Sequence, residues 1–160
     1  MTVALLIDLD GALGDTRPLW RDWLTDAARR FAAVSPLDVA ALPDDRGEAA
    51  EALDRWAATG IGDWRAALER FAADRAPVYL RPSADAAAAL RRLAGAEARL
   101  GAFTDAPEEL ARVAASHLGV DRRLEALEAG AGAEARLVER LGPDVLLARS
   151  REDLLRLAYD

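Results

Sequence analysis

Asp8 and Asp10 are the residues of this 160-residue chain whose types and spacing most directly suggest chemistry. They stand in Asp8-Leu9-Asp10-Gly11, directly after the apolar run Val3-Ala4-Leu5-Leu6-Ile7. A short apolar run closed by a turn signal predicts a strand buried on both faces, as in a parallel sheet. In open α/β sheets, ligands bind outside the carboxyl ends of the strands. Two carboxylates placed there can divide the work of phosphoryl transfer. Asp8 would attack phosphorus and form an aspartyl phosphate; Asp10 would protonate the leaving group and then activate water. Mg²⁺, a hard cation that prefers oxygen ligands, would bridge the nucleophile and the phosphate. The same four residues also read as a polar strand end with a glycine turn. An EF-hand loop begins in this way too, but its third acidic position and preceding helix are missing.

The elements that must position this pair follow from periodicity. Arg17 to about Arg75 is helical in pattern: Pro18 suits a first turn, and Trp20, Trp23, Leu24, Ala27 and Phe31 recur at three- and four-residue steps. Ser35-Pro36 predicts a short second helix. Pro43-Asp44-Asp45 opens a third that stops near Gly60, and Asp63 caps a fourth carrying Trp64, Ala67, Leu68 and Phe71. The rhythm then changes. Helices are expected over Ala84–Leu93, Pro107–Leu118, Ala133–Leu141 and Glu152–Tyr159, and strands over Arg99–Phe103, Leu124–Leu127 and Val145–Ala148. Strands alternating with helices imply βαβ units and a doubly wound parallel sheet. The expected organisation is an α/β core from 1–15 and 80–160, interrupted by a small helical cap over 16–79. Trp20, Trp23, Trp56 and Trp64 all fall in the insertion, as cap core first and as pocket wall or partner surface second.

Composition removes several classes of function. Arginine and lysine together number 21 against 28 aspartates and glutamates, for a net charge of −7, which disfavours nucleic acid and anionic membranes as partners. There is no cysteine, so disulfides, thiolate nucleophiles and zinc–thiolate sites are excluded. Every basic residue is arginine, which excludes Schiff-base chemistry and a Walker-type P-loop. His117 is the single histidine and reads as an ordinary surface or capping residue on a helix. The stretch Val3–Ile7 is too short for a signal peptide and lacks a basic flank, so a cytoplasmic location is expected.

Ala4-Leu5-Leu6-Ile7-Asp8-Leu9-Asp10-Gly11-Ala12-Leu13-Gly14-Asp15-Thr16 resembles the first motif of haloacid dehalogenase superfamily hydrolases. The branch it looks most like is phosphoglycolate-phosphatase-like, with a small helical cap after this motif. Arg99-Leu100-Gly101-Ala102-Phe103-Thr104-Asp105-Ala106-Pro107 is similar to the second strand with its phosphate-binding hydroxyl. The segment from Val138 to Asp153 matches the late helix, strand and acidic loop in layout. The resemblance implies that Asp8 is the nucleophile and Asp10 the acid/base, and that Gly11, Thr104 and Asp105 hold the phosphate. It further implies Mg²⁺ on Asp8, Asp10 and Asp153, and a small phosphorylated metabolite as substrate. Ala12 stands where most members have threonine.

Two motifs depart from the pattern. The lysine of the third is missing from Glu128-Ala129-Gly130-Ala131-Gly132-Ala133-Glu134-Ala135-Arg136. Arg136 is the nearest substitute, and free N–H groups at Gly130–Gly132 are a second way to hold an anion. In the fourth, Ala148-Arg149-Ser150-Arg151-Glu152-Asp153 keeps an acid at Asp153 but places Arg149 where a metal-binding acid belongs. Arg149 is therefore expected to pair with Asp8 or Asp10 and weaken Mg²⁺ binding. One charge pair at about 4 Å is worth about 4 kcal/mol at an effective dielectric of ~20, and its loss slows a reaction roughly 10³-fold. Two functions remain open: a phosphatase-type hydrolase with impaired activity, and an inactive relative that binds a ligand or partner.

Overall fold

The computed structural model describes residues 2–160. Its centre is a four-stranded, all-parallel sheet: β1 (Ala4–Asp8), β2 (Arg99–Thr104), β3 (Ala126–Ala129) and β4 (Val145–Ala148), in the spatial order β3-β2-β1-β4. The order runs outward from β1 to β3 and then reverses to β4, so β1 flanks the point where ligands bind in such sheets. Alternation along β1 sends Leu5 and Ile7 into one apolar cluster and Ala4 and Leu6 into another. The first cluster is completed by α4 (Ala84–Gly95), the C-terminal half of α5 (Glu108–His117) and α7 (Arg151–Tyr159). The second is closed by α6 (Ala133–Leu141) through Ala133, Leu137 and Leu141. Gly101 makes that packing possible, since a Cβ there would lie 2.7 Å from Leu137 Cδ1.

The insertion forms α1 (Arg17–Arg30), α2 (Arg46–Ala57) and α3 (Trp64–Tyr79) around a third cluster. Trp23 stands between Trp20 and Trp64, with both ring-centroid distances 5.6 Å. Two of the buried indoles donate their N–H groups, Trp56 to Ser35 O at 2.9 Å and Trp64 to Asp54 Oδ1 at 2.8 Å. Ala106 and Leu110 of the sheet layer belong to the same cluster, which fuses the helical layer to the core through α5.

Several boundaries differ from expectation. No helix begins at Ser35-Pro36; a single turn at Val39–Ala41 is all that coils, and Leu42, held extended before Pro43, ends it. The helix expected from Pro43 begins at Arg46, where the Asp45 side chain caps the Glu48 N–H at 2.9 Å. The third strand is Ala126–Ala129, not Leu124–Leu127, because a turn at Asp121–Arg123 delays it. The last helix starts at Arg151, capped by Ser150.

Candidate functional site at the carboxyl end of β1 and β2

β1 ends at Asp8, and the chain then makes one wide turn over Leu9–Leu13. Gly11 carries it at φ 112°, where a side chain would be strained and its Cβ would meet Arg149 O at 2.8 Å. The Gly11 N–H donates to Gly14 O at 2.7 Å, so it is not open to a phosphate as the sequence suggested. Arg151, at the start of α7, fixes the turn from below by donating to Ala12 O at 2.7 Å and Leu13 O at 3.3 Å.

Asp10 is the most heavily bonded carboxylate of the site. Its Oδ1 accepts from the Thr16 N–H and the Thr16 hydroxyl, each at 2.7 Å. Its Oδ2 accepts from the Thr104 hydroxyl at 2.7 Å and from Arg46 Nη2 at 2.5 Å. A carboxylate offers about four lone-pair sites, and all four are taken. Thr104 and Asp105 sit at the end of β2, as expected, and both line the cleft while their side chains are bonded within the protein. Asp105 accepts from the Arg46 N–H at 3.0 Å, from Nε at 2.9 Å and from Nη2 at 2.8 Å. Burial pushes the Asp105 carboxyl up, yet the Arg46 N–H and guanidinium outweigh it and hold the group below its ordinary value.

Arg46 therefore joins the carboxyl ends of β1 and β2 from the first turn of α2. It is 3% exposed, and its Nη1 donates to the Thr16 hydroxyl at 2.7 Å. Sequence reasoning gave neither Arg46 nor Thr16 a role. A signal was present. A basic residue in a helix's first turn opposes the helix dipole, and the Gly47 that follows weakens a helix interior. Two unfavourable choices side by side point to a tertiary reason.

Asp8 is the contrasting member. Burial first, and then the neighbouring Asp10 carboxylate, push its carboxyl up to about 6, only partly offset by the Asp10 N–H, Arg149 and Arg17. It faces a cleft of about 630 Å³ lined also by Asp10, Arg17, Asp45, Arg46, Phe103, Thr104, Asp105 and Glu134. Five carboxylates against two guanidiniums leave this cleft formally negative.

Arg149 corrects an expectation. It pairs with neither Asp8 nor Asp10: Nη2 donates to Glu134 at 2.7 Å, and the side chain is 53% exposed. Asp153 lies in the first turn of α7, where it accepts from the Arg149 N–H at 3.1 Å and from Arg156 Nη2 at 3.0 Å, and it does not line the cleft. Arg136 is likewise no substitute for a lysine, because it bonds the carbonyls of Ala129 and Ala131 and the carboxylate of Glu128. Gly130 spends its N–H on Thr104 O at 3.0 Å and Ala106 O at 2.9 Å.

By sequence, no family model and no curated protein matches the chain. Solved structures do. Rhodobacter sphaeroides CbbY in complex with phosphate superposes with a TM-score of 0.65 at 16% identity, covering 92% of this chain and 77% of that one. A Thermotoga maritima protein described as a β-phosphoglucomutase gives 0.54 at 17% identity, covering 98% and 82%. L-2-haloacid dehalogenase from Xanthobacter autotrophicus gives 0.50 at 17% identity, covering 92% and 69%. The fold is haloacid-dehalogenase-like.

Mg²⁺ is the ion that phosphatases of the haloacid-dehalogenase-like fold generally use, and the residues present do not fit it. Among the described residues, no three acidic or histidine side chains are grouped to hold a metal. Asp10 has no lone pair left, Asp153 is turned to the α7 cap, and Arg149 contributes no acid. Asp8 is left without the two further acids beside it that would complete a metal site.

Proposed function

We propose that the protein is a haloacid-dehalogenase-fold hydrolase with impaired turnover, which binds a small phosphorylated metabolite beside Asp8. The observation that carries this reading is the saturation of Asp10. A general acid needs an oxygen that holds a proton toward the leaving group, and both Asp10 oxygens already accept two hydrogen bonds each. In the intact chemistry, an Asp8 oxygen attacks phosphorus, the bond to the leaving oxygen breaks, and Asp10 protonates that oxygen. Water then cleaves the aspartyl phosphate. Here Asp8 is left open for the first step, while Asp10 is engaged elsewhere for the second and third.

The alternative is a module of the same fold that binds ligand without any turnover, and the four-way hold of Arg46 favours it. The expected partner in both readings is a small molecule, in the cytoplasm, with no nucleic acid and no membrane. No helix among the described residues is long and apolar enough to cross a bilayer.

Hydrolysis of p-nitrophenyl phosphate with MgCl₂ or EDTA, by the wild type and Asp8→Asn, tests the proposal. Turnover near background is expected. A small Asp8-dependent burst without sustained turnover identifies the impaired hydrolase; no burst identifies the binding module. Robust Mg²⁺-dependent turnover that Asp8→Asn abolishes defeats both.

A further inference from the structure

Three oxygens converge on a single nitrogen in this site. Arg46 Nη2 lies 2.5 Å from Asp10 Oδ2, 2.8 Å from Asp105 Oδ1 and 3.2 Å from Thr104 Oγ1. Two carboxylates and a hydroxyl aimed at one point form a hard-oxygen setting of the kind a small divalent ion uses. That point is filled by a fixed positive charge from the insertion. We propose that Arg46 is a built-in cation, carried into the site by α2, that takes this point and keeps divalent metal out of it.

An independent contact shows how the charge is delivered. Gly47, the next residue, presses on the β3–α6 loop: a Cβ built on it would lie 2.3 Å from Ala131 N, 2.6 Å from Ala131 Cα and 2.7 Å from Ala131 Cβ. Nothing larger than glycine lets α2 come this close. The loop it meets, Gly130-Ala131-Gly132, is the small-residue stretch where the resemblance asks for a lysine. The core gives up a cation there, and the space is used to seat the first turn of α2, which brings a different cation from another direction. Removing Arg46 would leave Asp10 and Asp105 buried or half-buried without an ion-pair partner, a costly arrangement that a divalent ion relieves.

This inference rests on the proposed reading of the cleft as the site, and the experiment separates the two. Thermal unfolding of the full chain is measured in EDTA and in millimolar MgCl₂, with calorimetric Mg²⁺ titration alongside. The wild type is expected to show no Mg²⁺-dependent shift and no binding heat. Arg46→Met is expected to melt roughly 10 °C lower in EDTA and to recover in part with MgCl₂. Gly47→Ala retains every charge. Alanine for glycine inside a helix ordinarily stabilises by roughly 1 kcal/mol, yet this variant is expected to melt below the wild type and to acquire a Mg²⁺ response. It also stands in if Arg46→Met does not fold.

Mg²⁺ stabilisation of the wild type equal to that of the variants overturns the inference. So does an Arg46→Met protein without a divalent response, or a Gly47→Ala protein more stable than the wild type. Phosphatase turnover by the wild type in EDTA would defeat the proposed function and leave Arg46 as the resident cation.

Discussion

The main-chain N–H of Asp10 donates to Asp8 Oδ1 at 3.1 Å, and this is the one hydrogen bond the Asp8 carboxylate receives among the described residues. Asp10, two residues on, accepts four. One strand end thus carries a fully satisfied carboxylate and a nearly bare one, side by side.

The bare one makes stability depend on pH. The Asp8 carboxyl is raised from 3.8 to about 6, so the folded state favours its protonated form. That contribution is present in full below pH 3.8 and is lost as pH rises through about 6. Asp8→Asn is neutral throughout and retains it. Thermal unfolding in EDTA should therefore show Asp8→Asn melting above the wild type at about pH 8, with the gap closing below about pH 4. Equal melting temperatures at both pH values would contradict an uncompensated Asp8.

Asp105→Asn should weaken the hold on Arg46. The amide retains the shape of the side chain but removes the charge facing a buried guanidinium. A loss of about 2 kcal/mol in urea unfolding is expected, less than a fully orphaned charge would cost because Asp10 stays.

Arg149 should matter little. Its pair with Glu134 is exposed on both sides, and such pairs are worth about 0–1 kcal/mol. Arg149→Ala should unfold within about 1 kcal/mol of the wild type.

Trp23→Ala should be severe. Trp23 is buried between Trp20 and Trp64, and truncating a core tryptophan costs about 3–5 kcal/mol. Circular dichroism at rising urea should show the variant unfolding well before the wild type.

Much of this architecture could be read from local pattern. Val3–Ile7, Arg99–Phe103 and Val145–Ala148 are apolar runs that pair as parallel strands, with β1 displaced by one residue from the run that announced it. Asp8 and Asp10 stood out because they close such a run, whereas Thr104 and Asp105 were singled out through the family resemblance. Arg46 was not, because its importance depends on where α2 lands, and nothing in Asp45-Arg46-Gly47 states a distance to Ala131. The expectation for Arg149 failed for a related reason. Adjacency to β4 was right, but Glu134 on α6 competes for the guanidinium, and that competition exists only in three dimensions.

The position of β1 in the sheet also bears on the order in which the molecule comes into being. Ala4 pairs with Arg99 on one side and with Val145 on the other. The strand made first is an inner one, and its neighbours are made much later. A growing chain must carry the apolar stretch Ala4–Ile7 uncovered through synthesis of the whole insertion and most of the remaining protein. Non-local parallel pairing of this kind is slow and leaves such stretches exposed to aggregation.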